Sequence, residues 1–176
     1  MQRFVPLIIV LALAGLFFMM MTQEGRNPNE IKSVMIGKPA PAFALPGLDA
    51  GAPGLTDADL RTGEPVLVNF FASWCVPCRA EHESLMALAR EHGVSIIGIA
   101  YKDTPDRSLA FLDELGNPFA KTGADLDGRV AIDWGVTGVP ETFLVDGSGT
   151  IVYRHWGPIV GDGLEAQVLP ALEALK

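Results

Sequence analysis

The sequence predicts an α/β domain with a mixed central sheet flanked by helices, and three observations lead to this class. Residues 66–71 and 95–100 are apolar on both faces and rich in β-branched or aromatic side chains, the pattern of central strands covered on both sides. Residues 79–91 between them can form a helix, so the three segments make one βαβ unit with a right-handed crossover. Residues 142–145 and 150–153 are two further strands, joined as a hairpin by a turn of the composition Asp-Gly-Ser-Gly.

Two further helices and a strand are predicted between this unit and the hairpin. Residues 104–115 are predicted to be helical, because Thr104 can cap the helix and Pro105 suits its first position. Residues 117–125 are predicted to hold a short strand, and residues 127–134 a short helix. These segments place two helices and a strand between the βαβ unit and the hairpin.

An amphipathic helix is predicted to close the chain from near Asp162. Its apolar stripe consists of Leu164, Val168, Leu172 and Leu175. Pro170 interrupts this helix, and we expect a kink there, because the proline ring removes a donor and crowds the carbonyl of Ala166.

Composition limits the classes of function. The chain has 176 residues, with 13 Lys and Arg against 21 Asp and Glu, for a formal net charge of −8. A nucleic-acid partner is not expected, because phosphate neutralisation needs a basic surface. The 2 cysteines are too few for a disulfide framework, so a chemical role is favoured over a structural one.

The N-terminal segment predicts a membrane anchor. Residues 4–21 are almost wholly apolar and follow Arg3, and this run is just long enough to cross a bilayer core. A cleaved signal peptide is the alternative, since Ala12 and Ala14 resemble a cleavage site, but the apolar run continues to Met21. The short N-terminus is predicted to lie in the cytoplasm and the domain outside, in a compartment that oxidises thiols. The predicted divisions are an anchor in residues 1–22, a linker in residues 23–36 and a folded domain in residues 37–176.

The two cysteines form a C-x-x-C motif where a buried strand meets a helix, which indicates a redox-active dithiol. Cys75 is predicted to be the attacking sulfur, because a helix N-terminus stabilises a thiolate. Cys78, nearly one turn further in, is predicted to resolve the mixed disulfide. Pro77 lacks an amide hydrogen and so removes one donor to the Cys75 sulfur. Trp74 serves either as structural cover or as a contact for the partner.

The order of elements is the plan of a thioredoxin-like fold, with an insertion of about a helix and a short strand in residues 103–127. More narrowly, four motifs resemble the thiol:disulfide interchange proteins of cytochrome c maturation, the DsbE or CcmG type. The motifs are Gly-Lys-Pro-Ala-Pro at 37–41, Trp-Cys-Val-Pro-Cys-Arg-Ala-Glu-His at 74–82, Gly-Val-Thr-Gly-Val-Pro-Glu-Thr at 135–142 and Tyr-Arg-His-Trp-Gly at 153–157.

This resemblance implies a single-pass inner-membrane protein whose catalytic domain lies in the periplasm. It implies a dedicated reductant, kept reduced by a membrane thiol reductant, that reduces the disulfide of apocytochrome c, or of a carrier protein, before haem is attached. No cofactor is expected in the protein itself, because Cys78 is followed by Arg79 and no C-x-x-C-H motif occurs.

The resemblance also bears on the group that deprotonates Cys78. In thioredoxins the strand residue six before the first cysteine is an acid, but here it is Asn69. Glu81, at i+3 from Cys78, is a candidate proton acceptor, and Glu141 is a candidate for acidic tuning. The alternative is that both glutamates are solvated surface residues.

The resemblance further implies that Pro140 is a cis-proline facing the dithiol. The backbone of Val139 would then be free to pair with an extended substrate peptide.

Three alternatives stay open at this point. The protein could be a general periplasmic disulfide oxidase or isomerase, since redox potentials of C-x-x-C proteins span about −270 to −120 mV. It could be a copper-binding chaperone, with His82 beside the two thiolates, although no metal is the favoured prediction. A peroxidase is less favoured, because the sequence before Cys75 does not match a Thr/Ser-x-x-Cys pattern.

Overall fold

The computed structural model describes residues 5–21 and 33–175. The chain forms two compact units, the first ending at Lys32 and the second beginning at Ser33. The first unit contains helix α1 (Val5–Met21), which is 17 residues long. In these two described ranges no helix combines the length and the hydropathy needed to span a membrane. Residues 1–4 and 22 of the predicted anchor, and most of the predicted linker, lie outside the described residues.

A five-stranded mixed sheet forms the centre of the second unit, as predicted. Its strands are β3 (Val66–Phe71), β4 (Ile96–Tyr101), β5 (Lys121–Asp125), β6 (Glu141–Val145) and β7 (Ile151–Trp156). They lie in the order β5-β4-β3-β6-β7. Strands β3, β4 and β5 are mutually parallel, whereas β6 runs antiparallel to both β3 and β7. All six residues of β3 are buried.

The predicted helices are present, with shifted boundaries. They are α2 (Val76–Arg90), α3 (Pro105–Leu115), α4 (Arg129–Asp133) and α5 (Leu169–Glu173). Helix α2 begins three residues earlier than predicted, directly after Cys75, because the Cys75 side chain caps it. Ahead of the sheet, β1 (Ala44–Leu45) pairs with β2 (Leu55–Thr56), and a short 3₁₀ helix (Asp57–Leu60) follows.

Apolar side chains cover both faces of the sheet. One cluster contains Leu67 and Phe71 of β3 together with residues of α2, α3 and α5. The other contains Val68 and Phe70 and is centred on Trp134, which is fully buried. The rings of Phe43, Phe70 and Phe143 meet Trp134 edge-on.

The closing helix is irregular ahead of Pro170. A π-helical segment (Leu164–Val168) precedes α5, and the Leu169 amide donates to the Leu164 carbonyl. Pro170 lies at the start of α5, where its missing amide hydrogen removes no bond inside the α-helix. The predicted disturbance therefore takes the form of a widened turn before the proline.

The topology brings four loops to one end of the sheet. Parallel strands β3 and β4 both end there, so the Cys75 loop and the loop after Tyr101 are neighbours. Antiparallel β6 begins at the same end, and β7 ends beside it, because Glu141 pairs with Trp156. The dithiol therefore lies where residues far apart in the sequence converge.

Candidate active site

The two cysteines form a disulfide at the N-terminus of α2. Their sulfurs are 2.02 Å apart and their Cα atoms 5.3 Å apart. The Cys78 amide donates a hydrogen bond to the Cys75 sulfur over 3.1 Å, so Cys75 caps the helix through its own reactive atom. Cys75 is 5% exposed and Cys78 2% exposed. After reduction, the same amide and the helix dipole stabilise negative charge on the Cys75 sulfur.

The residues beside the cysteines divide into buried and exposed positions. Val76 and Trp74 expose 79% and 54% of their surface. The Trp74 indole nitrogen donates to the Lys102 carbonyl over 3.3 Å, so its ring is held in place although it faces solvent. Pro77, also exposed, occupies the first turn of α2 and supplies no amide hydrogen. Trp74 therefore has both the fixed position of a structural residue and the exposed ring of a contact residue.

The loop before β6 approaches the dithiol from the opposite side. The Val139–Pro140 peptide bond is cis, as the resemblance implied. The Val139 carbonyl oxygen lies 3.5 Å from the Cys75 sulfur. The Gly157 amide donates to the Pro140 carbonyl over 3.1 Å, which ties this loop to the end of β7.

Glu81 is fully buried one turn beyond Cys78 on α2. Its Oε1 accepts a hydrogen bond from Asn69 Nδ2 over 2.8 Å, and its Oε2 accepts one from the Ile159 amide over 2.9 Å. Loss of hydration raises the pKa of Glu81 to about 7, against the opposing effect of these two hydrogen bonds. The solvated alternative is therefore wrong for Glu81.

Asn69 is the partner that links Glu81 to the sheet. It is fully buried, and its Nδ2 also donates to Thr142 Oγ1 over 3.0 Å. Its Oδ1 has no hydrogen-bond partner among the described residues. The opposite amide orientation would point Oδ1 at the carboxylate, two acceptors facing each other. The strand thus carries a neutral donor, and the helix opposite it carries the acid.

Glu141 is also fully buried, so it is not a solvated surface residue either. Its Oε1 accepts from the amide and the hydroxyl of Thr137 and from the Gly138 amide, over 2.8, 2.6 and 3.2 Å. Its Oε2 pairs with Arg154, whose side chain is 3% exposed, over 2.8 Å. Oε1 is thus committed to the loop before Pro140 and Oε2 to Arg154 of β7, so the geometry favours Glu81 over Glu141 as the proton acceptor.

Asp103 is a site residue that the sequence analysis did not identify. It is 5% exposed, and its Oδ2 accepts from the Ser73 amide over 2.7 Å and from Ser108 Oγ over 3.0 Å. Its Oδ1 accepts from the Thr104 amide over 2.9 Å. Asp103, rather than the Thr104 side chain, therefore holds the start of α3 and fastens it to the loop that carries Cys75. Asp103 lies two residues after the buried parallel strand β4, at the end where β3 also finishes, and this position is the sequence feature that could have identified it.

His82 is packed away from solvent at one end of α3. Its Nε2–H donates to the Gly116 carbonyl over 2.8 Å, and its ring meets Phe111 edge-on at 5.2 Å. Burial lowers the pKa of His82, which favours the neutral form of the ring. Within the ranges that the structure describes, no group of three or more His, Cys, Asp or Glu side chains could hold a metal ion.

The fold and the dithiol define a class: the protein is a thioredoxin-like dithiol-disulfide oxidoreductase. Comparison with known proteins agrees. The chain belongs to the Redoxin family, whose model matches residues 35–168, and its curated relatives are thiol:disulfide interchange proteins.

Two of these relatives cover nearly the whole chain. The thiol:disulfide interchange protein HelX of Rhodobacter capsulatus is 46% identical over 169 residues, covering 96% of this chain and 94% of its own. The thiol:disulfide interchange protein DsbE of Escherichia coli K12 is 43% identical over 173 residues, covering 96% and 92%. A crystal structure from Chlorobium tepidum, described as a DsbE protein, has 32% identity and a TM-score of 0.63, covering 78% of this chain and 97% of its own.

Proposed function

We propose that this protein is a membrane-anchored periplasmic dithiol reductant that reduces the disulfide of apocytochrome c, or of its carrier, before haem is attached. One structural observation carries the exchange chemistry. The Cys75 sulfur is held between the Cys78 amide and the Val139 carbonyl, with the buried Glu81 carboxyl on the same helix as Cys78. The cytochrome substrate and the direction of electron flow rest on the resemblance and on the relatives' names.

The reaction transfers two electrons from the enzyme to the substrate. In the reduced enzyme, the Cys75 thiolate attacks one sulfur of the substrate disulfide, and the other substrate sulfur leaves as a thiolate. Cys78 then attacks the Cys75 sulfur of the mixed disulfide, which releases the second substrate thiolate. The enzyme is left with the Cys75–Cys78 disulfide seen in the structure, and a membrane thiol reductant restores the dithiol.

Glu81 is proposed to accept the proton that Cys78 loses in the second attack. A general base works best when its pKa lies close to the working pH, and the pKa of Glu81 is raised by burial to about 7. Its position one helical turn from Cys78 puts it on the same face of α2. Asn69 and the Ile159 amide hold the carboxyl in one orientation.

The direction of electron flow is tested by trapping thiols in cells. Rapid acid quenching followed by alkylation with a heavy maleimide reports whether Cys75 and Cys78 are reduced at steady state. We expect mostly reduced protein, which becomes oxidised when its electron donor is depleted. A predominantly oxidised pair in unperturbed cells would instead favour a general disulfide oxidase.

The substrate is tested with a Cys78→Ala variant, which cannot complete the second attack and so accumulates the mixed disulfide. Apocytochrome c or a cytochrome-maturation carrier is expected in the trapped species. The Cys75→Ala variant is the matched control, because it lacks the attacking sulfur. Trapping of unrelated periplasmic proteins alone would contradict the proposed substrate.

The anchor is tested by fractionation. The proposal that α1 belongs to an uncleaved anchor is supported by the apolar residues 4–21 and by Arg3 before them. The intact mass should include residues 1–22, and the protein should stay with membranes after alkaline washing. A mature protein that lacks this segment would indicate signal-peptide cleavage.

A further inference from the structure

A second exposed tryptophan lies at the same end of the sheet as the dithiol. Trp156 is the last residue of the edge strand β7 and is 52% exposed. Its indole nitrogen donates to Thr137 Oγ1 over 3.2 Å, so the ring is held at one edge although about half of the residue's surface faces solvent. A fixed, exposed indole offers apolar contact area at a small cost in conformational entropy.

Trp156 is connected to the reacting sulfur by short steps. Thr137 lies two residues before Val139, whose carbonyl is 3.5 Å from the Cys75 sulfur. The next residue after Trp156, Gly157, donates its amide to the Pro140 carbonyl over 3.1 Å. Trp156 therefore borders the cis-proline loop, residues 137–140 before β6. Trp74, held by the Lys102 carbonyl, belongs to the cysteine loop, residues 72–75 between β3 and α2.

Disulfide exchange at Cys75 identifies the occupant of this surface as a protein segment that contains a cysteine. A partner can form a mixed disulfide with Cys75 only if its own cysteine reaches the sulfur beside Val139. A partner segment that reaches this sulfur therefore lies next to the loop of Val139 and Pro140, which Trp156 borders. Arg154, two residues earlier on the same strand, is neutralised by Glu141, so the neighbouring charge does not select for an acidic partner.

We propose that Trp156 is a contact residue for the partner, and that it selects protein segments with an apolar or aromatic side chain within a few residues of the reacting cysteine. This inference rests on the proposed function, since it concerns the substrate of the same dithiol. Exposed tryptophans in such positions often dominate binding energy at interfaces.

The test compares two disulfide peptides with a small disulfide. Each peptide contains one intramolecular Cys-x-x-Cys disulfide, flanked by Leu in the first and by Ser in the second, and bis(hydroxyethyl) disulfide is the small substrate. The measured quantity is the second-order rate constant for reduction by the pre-reduced protein. In Trp156→Ala, the ratio of the Leu-peptide rate to the small-disulfide rate should fall about tenfold.

Two further variants make the result specific. Trp156→Phe keeps an aromatic face without the indole N–H and should retain most of the ratio. Ile36→Ala is the control, because it removes an exposed apolar side chain, 47% accessible, far from Trp156 along β7. The neighbouring Gly37 bonds to Ile151 at the opposite end of that strand. The rate ratio of this variant should match that of the wild type.

The outcomes separate this inference from the proposed function. An unchanged ratio in Trp156→Ala, or an equal loss with the Leu and Ser peptides, would overturn the contact role. A wild-type protein that reduces none of the three disulfides would instead overturn the reductant function itself.

Discussion

At the scale of single residues, the site places its buried acid on a helix rather than on the central strand. Asn69 occupies the strand position and donates to Glu81, which projects from α2. A neutral amide beside the carboxyl stabilises its ionised form by a hydrogen bond without adding a second charge. Glu81 is thus held close to Cys78 with a pKa near neutrality.

The first prediction concerns the Glu81→Gln variant. Without a carboxylate to accept the Cys78 proton, resolution of a preformed Cys75 mixed disulfide at pH ~7 should slow by at least about tenfold. Stopped-flow release of a chromophoric thiol from that mixed disulfide measures this step. Alkylation of Cys75 should change little.

Glu83→Gln is the matched control, because Glu83 is an exposed glutamate two residues further along the same helix. Resolution at the wild-type rate in Glu81→Gln would remove Glu81 from the mechanism.

The second prediction concerns stability and pH in the oxidised protein. The folded state raises the pKa of Glu81 from 4.5 to about 7, so between these values it retains a proton that the unfolded chain has released. This contribution to the free energy of unfolding is therefore complete below pH ~4.5 and is lost as the pH rises through ~7. The loss amounts to up to about 3 kcal/mol.

Denaturant unfolding of wild-type protein and Glu81→Gln between pH ~5 and ~8 tests this sign. The free energy of unfolding of the wild type should fall relative to that of the variant as the pH rises. Parallel curves for the two proteins would contradict the assignment.

At the scale of elements, carboxylates fasten the loops around the dithiol to their neighbours. Asp103 joins the cysteine loop to the start of α3, and Glu141 joins the cis-proline loop to β7 through Arg154. Both carboxylates are buried, and each accepts at least three hydrogen bonds. The two loops that meet at Cys75 are therefore each held in place from within the protein.

The third prediction concerns Asp103→Ala. The substitution leaves the Ser73 amide, the Thr104 amide and the Ser108 hydroxyl without their acceptor, and should lower the free energy of unfolding by about 2–3 kcal/mol. Chemical denaturation measures the loss. Asp113→Ala, at an exposed position on α3 itself, should stay within about 0.5 kcal/mol of the wild type. Equal stability of the two variants would count against this role for Asp103.

At the scale of the whole molecule, the insertion of residues 103–127 packs against the central sheet at one small residue, Gly98. Gly98 of β4 lies beside Asn69 in the sheet, and a Cβ atom there would come within 2.7 Å of the Phe119 ring. Phe119 in turn stacks on Phe71 of the central strand at 4.9 Å. The absence of a side chain at Gly98 thus lets the segment after α3 pack closely against the sheet.

The fourth prediction concerns Gly98→Ala, which should destabilise the domain by about 1–3 kcal/mol through overpacking. Adding Phe119→Leu should restore part of the loss if the clash is with this ring. A double-mutant cycle in denaturant provides the measurement. Strictly additive losses would show that Phe119 is not the obstacle.

The succession of strands and helices along the chain was predictable, because strong hydrophobic patterns mark them. Strand β3 has the predicted bounds, and the C-x-x-C motif lies at the start of α2. The sequence predicted that Pro170 would disturb the closing helix, but not that the disturbance would be a π-helical segment. Hydrophobic periodicity does not distinguish such a segment from a kink.

The partners of the site carboxylates were beyond prediction from local sequence. Asp103 bonds to Ser73, 30 positions away, and Glu81 bonds to Ile159, 78 positions away. Such pairs depend on how strands and loops converge in the folded chain. Their burial, which decides whether a glutamate is solvated or reactive, depends on the same convergence.

The Cys75 sulfur both reacts and caps α2, and this has a consequence for the catalytic cycle. The atom that exchanges bonds also closes the first turn of α2, by accepting the Cys78 amide. The Cys78 amide donates to this sulfur in the disulfide, and an anionic sulfur accepts such a bond more strongly, so we expect the cap to persist after reduction. The first turn of α2 therefore need not unfold between turnovers, and the redox reaction at Cys75 requires no rearrangement of the backbone that carries it.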